Sequence, residues 1–561
     1  MLTKKVFVYL LSLLLLAGCN KEKFAEMNTD PDALLSIPPE YEFTTGLLAI
    51  HNRDLEYYYD YNRAIYYWAQ SFVNMAGNAS TVYNGSGNLN KRTGNFYENV
   101  GPYLTDVLHL IDIMPAEKKA KYVYLRAITS IPLAYYAWYV SDVQGSIAFT
   151  QAFKARYEGL LTPQYDTQED LYDTLDNLLK SSVAILKTPQ QVTQLDLGAN
   201  DIYFGGDATK WIKAANSLRL RIAMRLLKRD PQKLKAVATE VLADATGVID
   251  AIEEDWKFIS NTSFAGGNYN PASNSNVTGL KSVVNFMWQS KDPRIRVFYK
   301  ESGINTKDLF DSAKAAGQLK PSEVWTGQLY QGQYGDPDAS LDTTKNVYTQ
   351  QLSFSYKGVV TRAYFPSSVQ NKLFYGQYEG DYGQTTFPVI TYAEVCLMRA
   401  ELAARGITGE NAETWYYKGI EASLNTYDAM AQLSKLPNYI PLTAAEVTDY
   451  KQQPGVVYNV ANALEQILAQ QYLNFYKNQN EAWALIKRTG FPHTANSVFN
   501  LETFHFGGTA SPMPRRFEVT YPSITDLNYT NIVQAIEAQQ KDASFGTPSD
   551  LTGRVWWDKA D

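Results

Sequence analysis

The chain has 561 residues, 45% hydrophobic and 19% charged, with a formal net charge of −7. So mild an acidic balance argues against nucleic acid as a partner, which asks for a basic face. A chain of this length buries a large core without disulfide staples, and it holds only two cysteines, Cys19 and Cys396.

The chain opens "MLTKKVFVYLLSLLLLAGC", apolar from Val6 to Ala17 except for Tyr9 and Ser12. That run is shorter than the about 20 apolar residues a bilayer-spanning helix needs. It also lacks the polar face of a helix packed on a folded body. Lys4 and Lys5 before it and the small residues Ala17 and Gly18 after it fit a secretory signal peptide. Leu16-Ala17-Gly18-Cys19 resembles a bacterial lipobox, a signal at which the peptidase cuts before a cysteine that carries acyl chains. Residues 1–18 are therefore expected to be cleaved, Cys19 to be the lipidation site, and residues 19–40 to form a polar tether. Each buried CH₂ of an acyl chain is worth about 0.8 kcal/mol, so two or three chains hold a large body firmly. Cys396 then has no partner for an internal disulfide, and its apolar setting "YAEVCLMRAELAA" predicts a buried core thiol.

The rest, 41–561, reads as one domain on a helical scaffold. "GNASTVYNGSGNLNKRTGN" (77–95) is loop-like in composition. Helical stretches follow in pairs: 96–114 with 118–140, 167–187 with 207–229, 390–406 with 411–427, and 462–479 with 480–490. In the 207–229 helix, Trp211, Ala215, Leu218, Ile222 and Leu226 recur at helical spacing and share one face. Asp207 is the expected N-cap and Asp230-Pro231 the stop, while Arg219, Arg221, Arg225 and Lys228 predict a solvated or salt-bridged face. About four helix pairs of this size predict tetratricopeptide-like packing, each hairpin burying its apolar face on a neighbour.

Residues 256–388 differ, being rich in Gly, Asn, Ser, Pro and Tyr, and predict loops and short strands. A loop-rich insert this long inside one domain points to function. Tyrosine is the compositional outlier, with 41 residues beside 24 Phe and 10 Trp. A flat apolar ring with a polar tip suits helix interfaces, where most of these are expected, and also surfaces that meet sugars or peptides. Within "GDPDASLD", Asp336, Asp338 and Asp342 lie close together and could hold Ca²⁺, but they lack the full calcium-loop spacing, so a solvated acidic loop is the expectation.

Signals of catalysis are missing. His51, His109, His493 and His505 are scattered, without a His-Glu-x-x-His pair, a Gly-x-Ser-x-Gly elbow or a phosphate-cradling glycine loop. Glycosidase carboxylates need only meet in space at about 5–10 Å, so a surface-anchored hydrolase stays a competing reading, but no motif calls for it.

"WIKAANSLRLRIAMRL", "ITYAEVCLMRAELAARG", "EAWALIKRTGFP", "MPRRFEVTYPS" and the terminal "RVWWDKAD" together resemble the SusD/RagB family of outer-membrane lipoproteins, over essentially the whole chain. The resemblance implies a mainly α, tetratricopeptide-like scaffold whose irregular insert carries the ligand surface. It also implies a cell-surface binding protein, without catalysis or cofactor, that passes glycan oligosaccharides to a SusC-type TonB-dependent transporter. In the RagB branch the ligand is oligopeptide. Loop composition, rather than a family motif, nominates Asn78, Tyr83, Trp325, Tyr330, Tyr334, Tyr375, Tyr378, Asp381 and Tyr382 as ligand contacts. Trp556 and Trp557 are expected to anchor the C-terminus by packing.

Overall fold

The architecture below is that of a computed structural model describing residues 37–51, 60–61, 64–78, 90–262, 264, 277–376, 381–492 and 498–560. The signal peptide, Cys19 and most of the tether lie outside the described residues. Helix α1 (Pro39–His51) already begins within the stretch read as tether. Lys91–Asn95 then starts a continuous helical run, so the loop-like N-terminal segment ends sooner than its composition suggests. That run continues into α2 (Gly101–Asp112), followed by α3 (Val123–Gln144), α4 (Gln168–Lys187), α5 (Ala208–Met224) and α6 (Pro231–Ala243).

Caps explain the boundaries. The Thr167 side chain accepts from the Asp170 N–H, and Asp207 accepts from Thr209 and Lys210, each satisfying donors that a first helical turn leaves unpaired. Asp230 does more than close α5, since its carboxylate also accepts from the Lys233 N–H and starts α6 with Pro231 in the first turn. The helices pack as a continuous array rather than isolated pairs: α1 on α2, α2 on α3, α3 on α4, α4 on α5, and α5 on α6. Sequence spacing missed α1 and α6, whose apolar stripes are short.

The second half repeats this plan after the insert. Helices α9 (Tyr392–Ala404) and α10 (Ala412–Leu433) pack together, α11 (Ala444–Lys451) leans on α10, and α12 (Ala463–Asn474) packs on α9 and on α13 (Gln479–Thr489). A further helix, α14 (Tyr529–Gln540), buries only Ile536 and lies on the surface. The fold is mainly α and tetratricopeptide-like, and no helix among the described residues is long and apolar enough to cross a membrane.

Helix α5 joins the halves. Its apolar face is buried as the spacing predicts, and so is its basic face, with Arg219, Arg221 and Arg225 at 2–3% exposure. Arg225 forks between Asp142 of α3 (2.9 Å) and Glu481 of α13 (2.7 Å), and Arg221 pairs with Glu394 of α9 (2.6 Å). Arg219 meets Asp176 of α4 and Glu240 of α6. The C-terminus closes over the same region, where Trp557 donates its indole N–H to the Asp142 carbonyl at 3.0 Å. Trp556 packs edge-on against Tyr172, so both tryptophans anchor as expected. Cys396 is a buried free thiol whose pKa burial raises to about 12, which leaves it inert.

Strands are short and paired two by two. Within the insert, β2 (Trp256–Ile259) pairs antiparallel with β6 (Thr386–Ile390), closing the insert's neck. Strand β1 (Val73–Asn74) pairs with β3 (Val277–Thr278), tying the N-terminal region to the insert's start. Between them lie α7 (Lys281–Gln289), α8 (Lys307–Ala315) and the hairpin of β4 (Leu352–Tyr356) and β5 (Val359–Ala363). The insert is less irregular than its composition implies. Ile304, Phe310, Ala313, Leu319, Tyr348, Leu352, Phe354 and Ala363 form a satellite core between α8 and the hairpin.

Two predictions follow from the buried ions. Arg221→Ala leaves the Glu394 carboxylate buried without its partner and should cost about 3–5 kcal/mol in denaturant unfolding, whereas Arg221→Met with Glu394→Leu should recover much of that loss. Glu401 is fully buried, which alone would raise its pKa, yet the guanidiniums of Arg488 and Arg405 hold it at about 2. A depressed carboxylate contributes stability above its unfolded pKa, here 4.5, that is lost as pH falls toward 2. That contribution is about 3 kcal/mol, so Glu401→Gln should lower stability at neutral pH and flatten the wild-type decline between pH 4.5 and 2.

A candidate ligand cleft at the seam of the insert

Where the satellite core meets the scaffold, an open cleft of about 190 Å³ is lined by α7, by the extended segment 323–333 and by residues near Tyr348 and Phe365. Its floor is apolar. Trp325 is half-buried and backs onto Phe310 with ring centroids 5.7 Å apart, and Phe365 lies against Tyr348 at 4.7 Å. Ile304 completes this floor.

Around the floor stand carboxamides: Asn285, Gln328, Gln331, Gln333 and Asn346. Some of their capacity positions the wall itself. Gln328 donates to Asn285 Oδ1 at 2.9 Å and to the Tyr330 carbonyl at 2.6 Å, and Gln331 donates to the Gln328 carbonyl at 3.1 Å. Gln333 Oε1 accepts from the Tyr334 N–H, and Asn346 Oδ1 accepts from Ser322. Among the described residues this leaves Asn285 Nδ2 and Asn346 Nδ2 as donors, and Gln328 Oε1 and Gln331 Oε1 as acceptors, without protein partners. The charged lining residues, Lys281 and Glu323, are of opposite sign. Lys281 donates to the Tyr334 hydroxyl at 3.3 Å, and Glu323 accepts from the Tyr348 hydroxyl at 3.3 Å.

Of the nominated residues, Trp325 lines this cleft, while Tyr334 stands beside it, its ring centroid 4.6 Å from the ammonium of the lining residue Lys281. Tyr330 points to the other side of the same extended segment. Its ring is buried, which raises its pKa to about 12, and it lines a separate groove with Arg296, Glu301 and Tyr439. Asn78 is fully buried and committed to structure, donating to the Gly335 carbonyl at 2.8 Å and accepting from the Asn74 N–H at 3.0 Å. Its amide therefore braces the insert. Tyr375, Asp381 and Tyr382 gather elsewhere, near the insert's neck. There the Asp381 carbonyl accepts from Lys372, and the Tyr382 hydroxyl donates to the Asn261 carbonyl. Tyr83 and Tyr378 lie outside the described residues.

The acidic run has a mechanical role. Asp336 accepts from the His505 N–H at 2.6 Å, and Asp338 accepts from the N–H groups of Gly507 and Gly508. These bonds hold the hairpin 504–511 against the insert, while Asp342 accepts from Thr344. No group of three or more His, Cys, Asp or Glu among the described residues could hold a metal ion. The residues that sequence reasoning passed over are the amides, although "QLYQGQYG" displays Gln328, Gln331 and Gln333 beside the aromatic residues that drew attention.

Asn78→Ala should leave the buried Gly335 carbonyl and Asn74 N–H unpaired, at a cost of about 1–3 kcal/mol. Thermal unfolding should show that loss, with ligand affinity at the cleft retained below the transition.

A family described as "Starch-binding associating with outer membrane", of SusD-like type, matches residues 44–522. Among solved structures, a chitin-binding protein superposes with a TM-score of 0.69 at 21% identity, over 93% of this chain and 100% of its own. A SusD-like protein of the Bacteroidetes follows at 0.66 and 22%, with the same coverage. A chitin-binding SusD homologue from Flavobacterium johnsoniae gives 0.63 and 18%, over 93% of this chain and 98% of its own. At these identities the likeness concerns the fold. No curated protein matches the sequence.

Proposed function

Because the chain belongs to the SusD-like family of starch-binding proteins that associate with the outer membrane, we propose that it is a non-catalytic, surface-exposed lipoprotein. In this reading it captures glycan oligosaccharides and hands them to a SusC-type TonB-dependent transporter. The cleft beside Trp325 carries the proposal: an aromatic floor ringed by amide donors and acceptors that the protein leaves unpaired. A sugar has an apolar C–H face and a rim of hydroxyls. Ring stacking buries the first, and side chains that both donate and accept satisfy the second. A few placed polar groups around an apolar floor is the general form of a small-molecule site. Lys281 and Glu323 are of opposite sign, so the lining carries no net charge, which favours a neutral ligand.

The anchor in this reading is acylated Cys19, with residues 1–18 removed and the segment up to α1 acting as tether. Capture needs no proton transfer or covalent step, only an affinity weak enough for release to the partner. Purification from native outer membranes in mild detergent should bring down a β-barrel transporter. Cys19→Ser should lose acylation and membrane retention, with glycan affinity in titration unchanged within about twofold. A protein recovered alone from every preparation, or one that turns over its glycans, would sink the reading.

A further inference from the structure

The amide pattern of the cleft narrows the ligand, provided the glycan-binding reading above holds. A hydroxyl is satisfied by a donor or an acceptor of almost any kind. A secondary amide is more demanding, because it presents one C=O and one N–H in fixed relation and, in an acetamido group, a methyl beside them. The cleft offers the complement: donors at Asn285 Nδ2 and Asn346 Nδ2, acceptors at Gln328 Oε1 and Gln331 Oε1. Ile304, Phe310 and Phe365 supply apolar surface for a methyl in the same cleft. A free ammonium in that place offers no C=O to the amide donors, and it meets charges of both signs in the lining, Lys281 and Glu323, so it gains no net attraction.

We propose that the Trp325 cleft selects glycans bearing acetamido groups, that is, N-acetylhexosamine units, over the same sugars with a bare hydroxyl or a free amine. A peptide also presents secondary amides, but the aromatic floor at Trp325 and the chain's family favour the sugar.

The test is titration of the full chain against oligosaccharides matched in linkage and differing only in the 2-substituent. Chitotetraose, cellotetraose and fully deacetylated chitosan tetramer form one such set, with maltotetraose and an oligopeptide mixture beside it. The N-acetylated member should bind at least about tenfold more tightly than its hydroxyl counterpart, a difference of about 1.4 kcal/mol. Trp325→Ala should lose binding of every glycan. Asn346→Leu, at a surface position outside the satellite core, should narrow the acetyl preference with the melting transition unchanged. Equal or reversed preference, including binding of maltotetraose alone, overturns the acetamido selectivity and leaves the glycan-binding reading standing. A preference that survives Asn346→Leu and Trp325→Ala in folded variants places recognition elsewhere and overturns the assignment to this cleft. Should Trp325→Ala unfold, the Asn346→Leu ratio alone decides between these outcomes. Binding of peptides with no glycan bound overturns both readings.

Discussion

The structure depends on charge buried at the centre of a helical array. Arg225 reaches back to Asp142 and forward to Glu481, and Asn480 donates to the same Asp142 carboxylate while accepting from Arg92. These partners come from four separate stretches of chain, so the network cannot form until both halves of the scaffold have docked. Ions taken from water recover their solvation only when every lone pair and proton finds a partner. An alternative register of the helices would strand charges rather than merely loosen a packing, which makes the network a device for specificity more than for stability.

A scaffold tied in this way lets the insert be different in kind. Its neck is a two-stranded pairing of β2 with β6, and its body has a small core of its own on α8 and the β4–β5 hairpin. The cleft sits where that body meets α7 and the segment 323–333, so its walls come from two units that pack for separate reasons. Such a seam leaves amide groups uncommitted, because neither core needs them. The same side chains inside α5 or α12 would have been consumed, as Gln471 is by Glu401 and the Leu397 carbonyl.

How far this could be read from the sequence differs between scaffold and site. The 3.6-residue recurrence of Trp211, Ala215, Leu218, Ile222 and Leu226 located α5 because burial of one face leaves a periodic trace. The arginines on its other faces read as a solvated or salt-bridged face; the ion pairs are there, but buried, and their partners could not be named. The carboxylate partners of Arg221 and Arg225 lie 83 to 256 residues away, and no local pattern reports a long-range ion pair. In the insert, composition nominated Trp325, which lines the candidate cleft, and Tyr334, which stands beside it against Lys281. It could not distinguish the two sides of the extended segment, which send Tyr330 to one groove and Gln331 and Gln333 to another. Asn78 was misplaced for the same reason: a loop asparagine and a buried brace look alike until the Gly335 carbonyl stands beside it.

The tyrosine excess has its explanation mainly in the scaffold. The hydroxyls of Tyr416, Tyr427, Tyr472 and Tyr476 each donate to a backbone carbonyl on another element, at 2.7–2.8 Å. Each ring fills core volume while its tip satisfies a carbonyl that would otherwise be buried unpaired, a combination Phe cannot supply. Tyr61 and Tyr139 instead join their two buried hydroxyls to each other, at 2.7 Å. Tyrosine answers both needs with one residue. Recognition at the cleft makes the opposite demand, for polar atoms the protein does not use, and carboxamides on extended backbone meet it better than a phenol locked in a core. Abundance of a residue type therefore marked what builds this protein, and the less conspicuous glutamines line the cleft proposed as its ligand site.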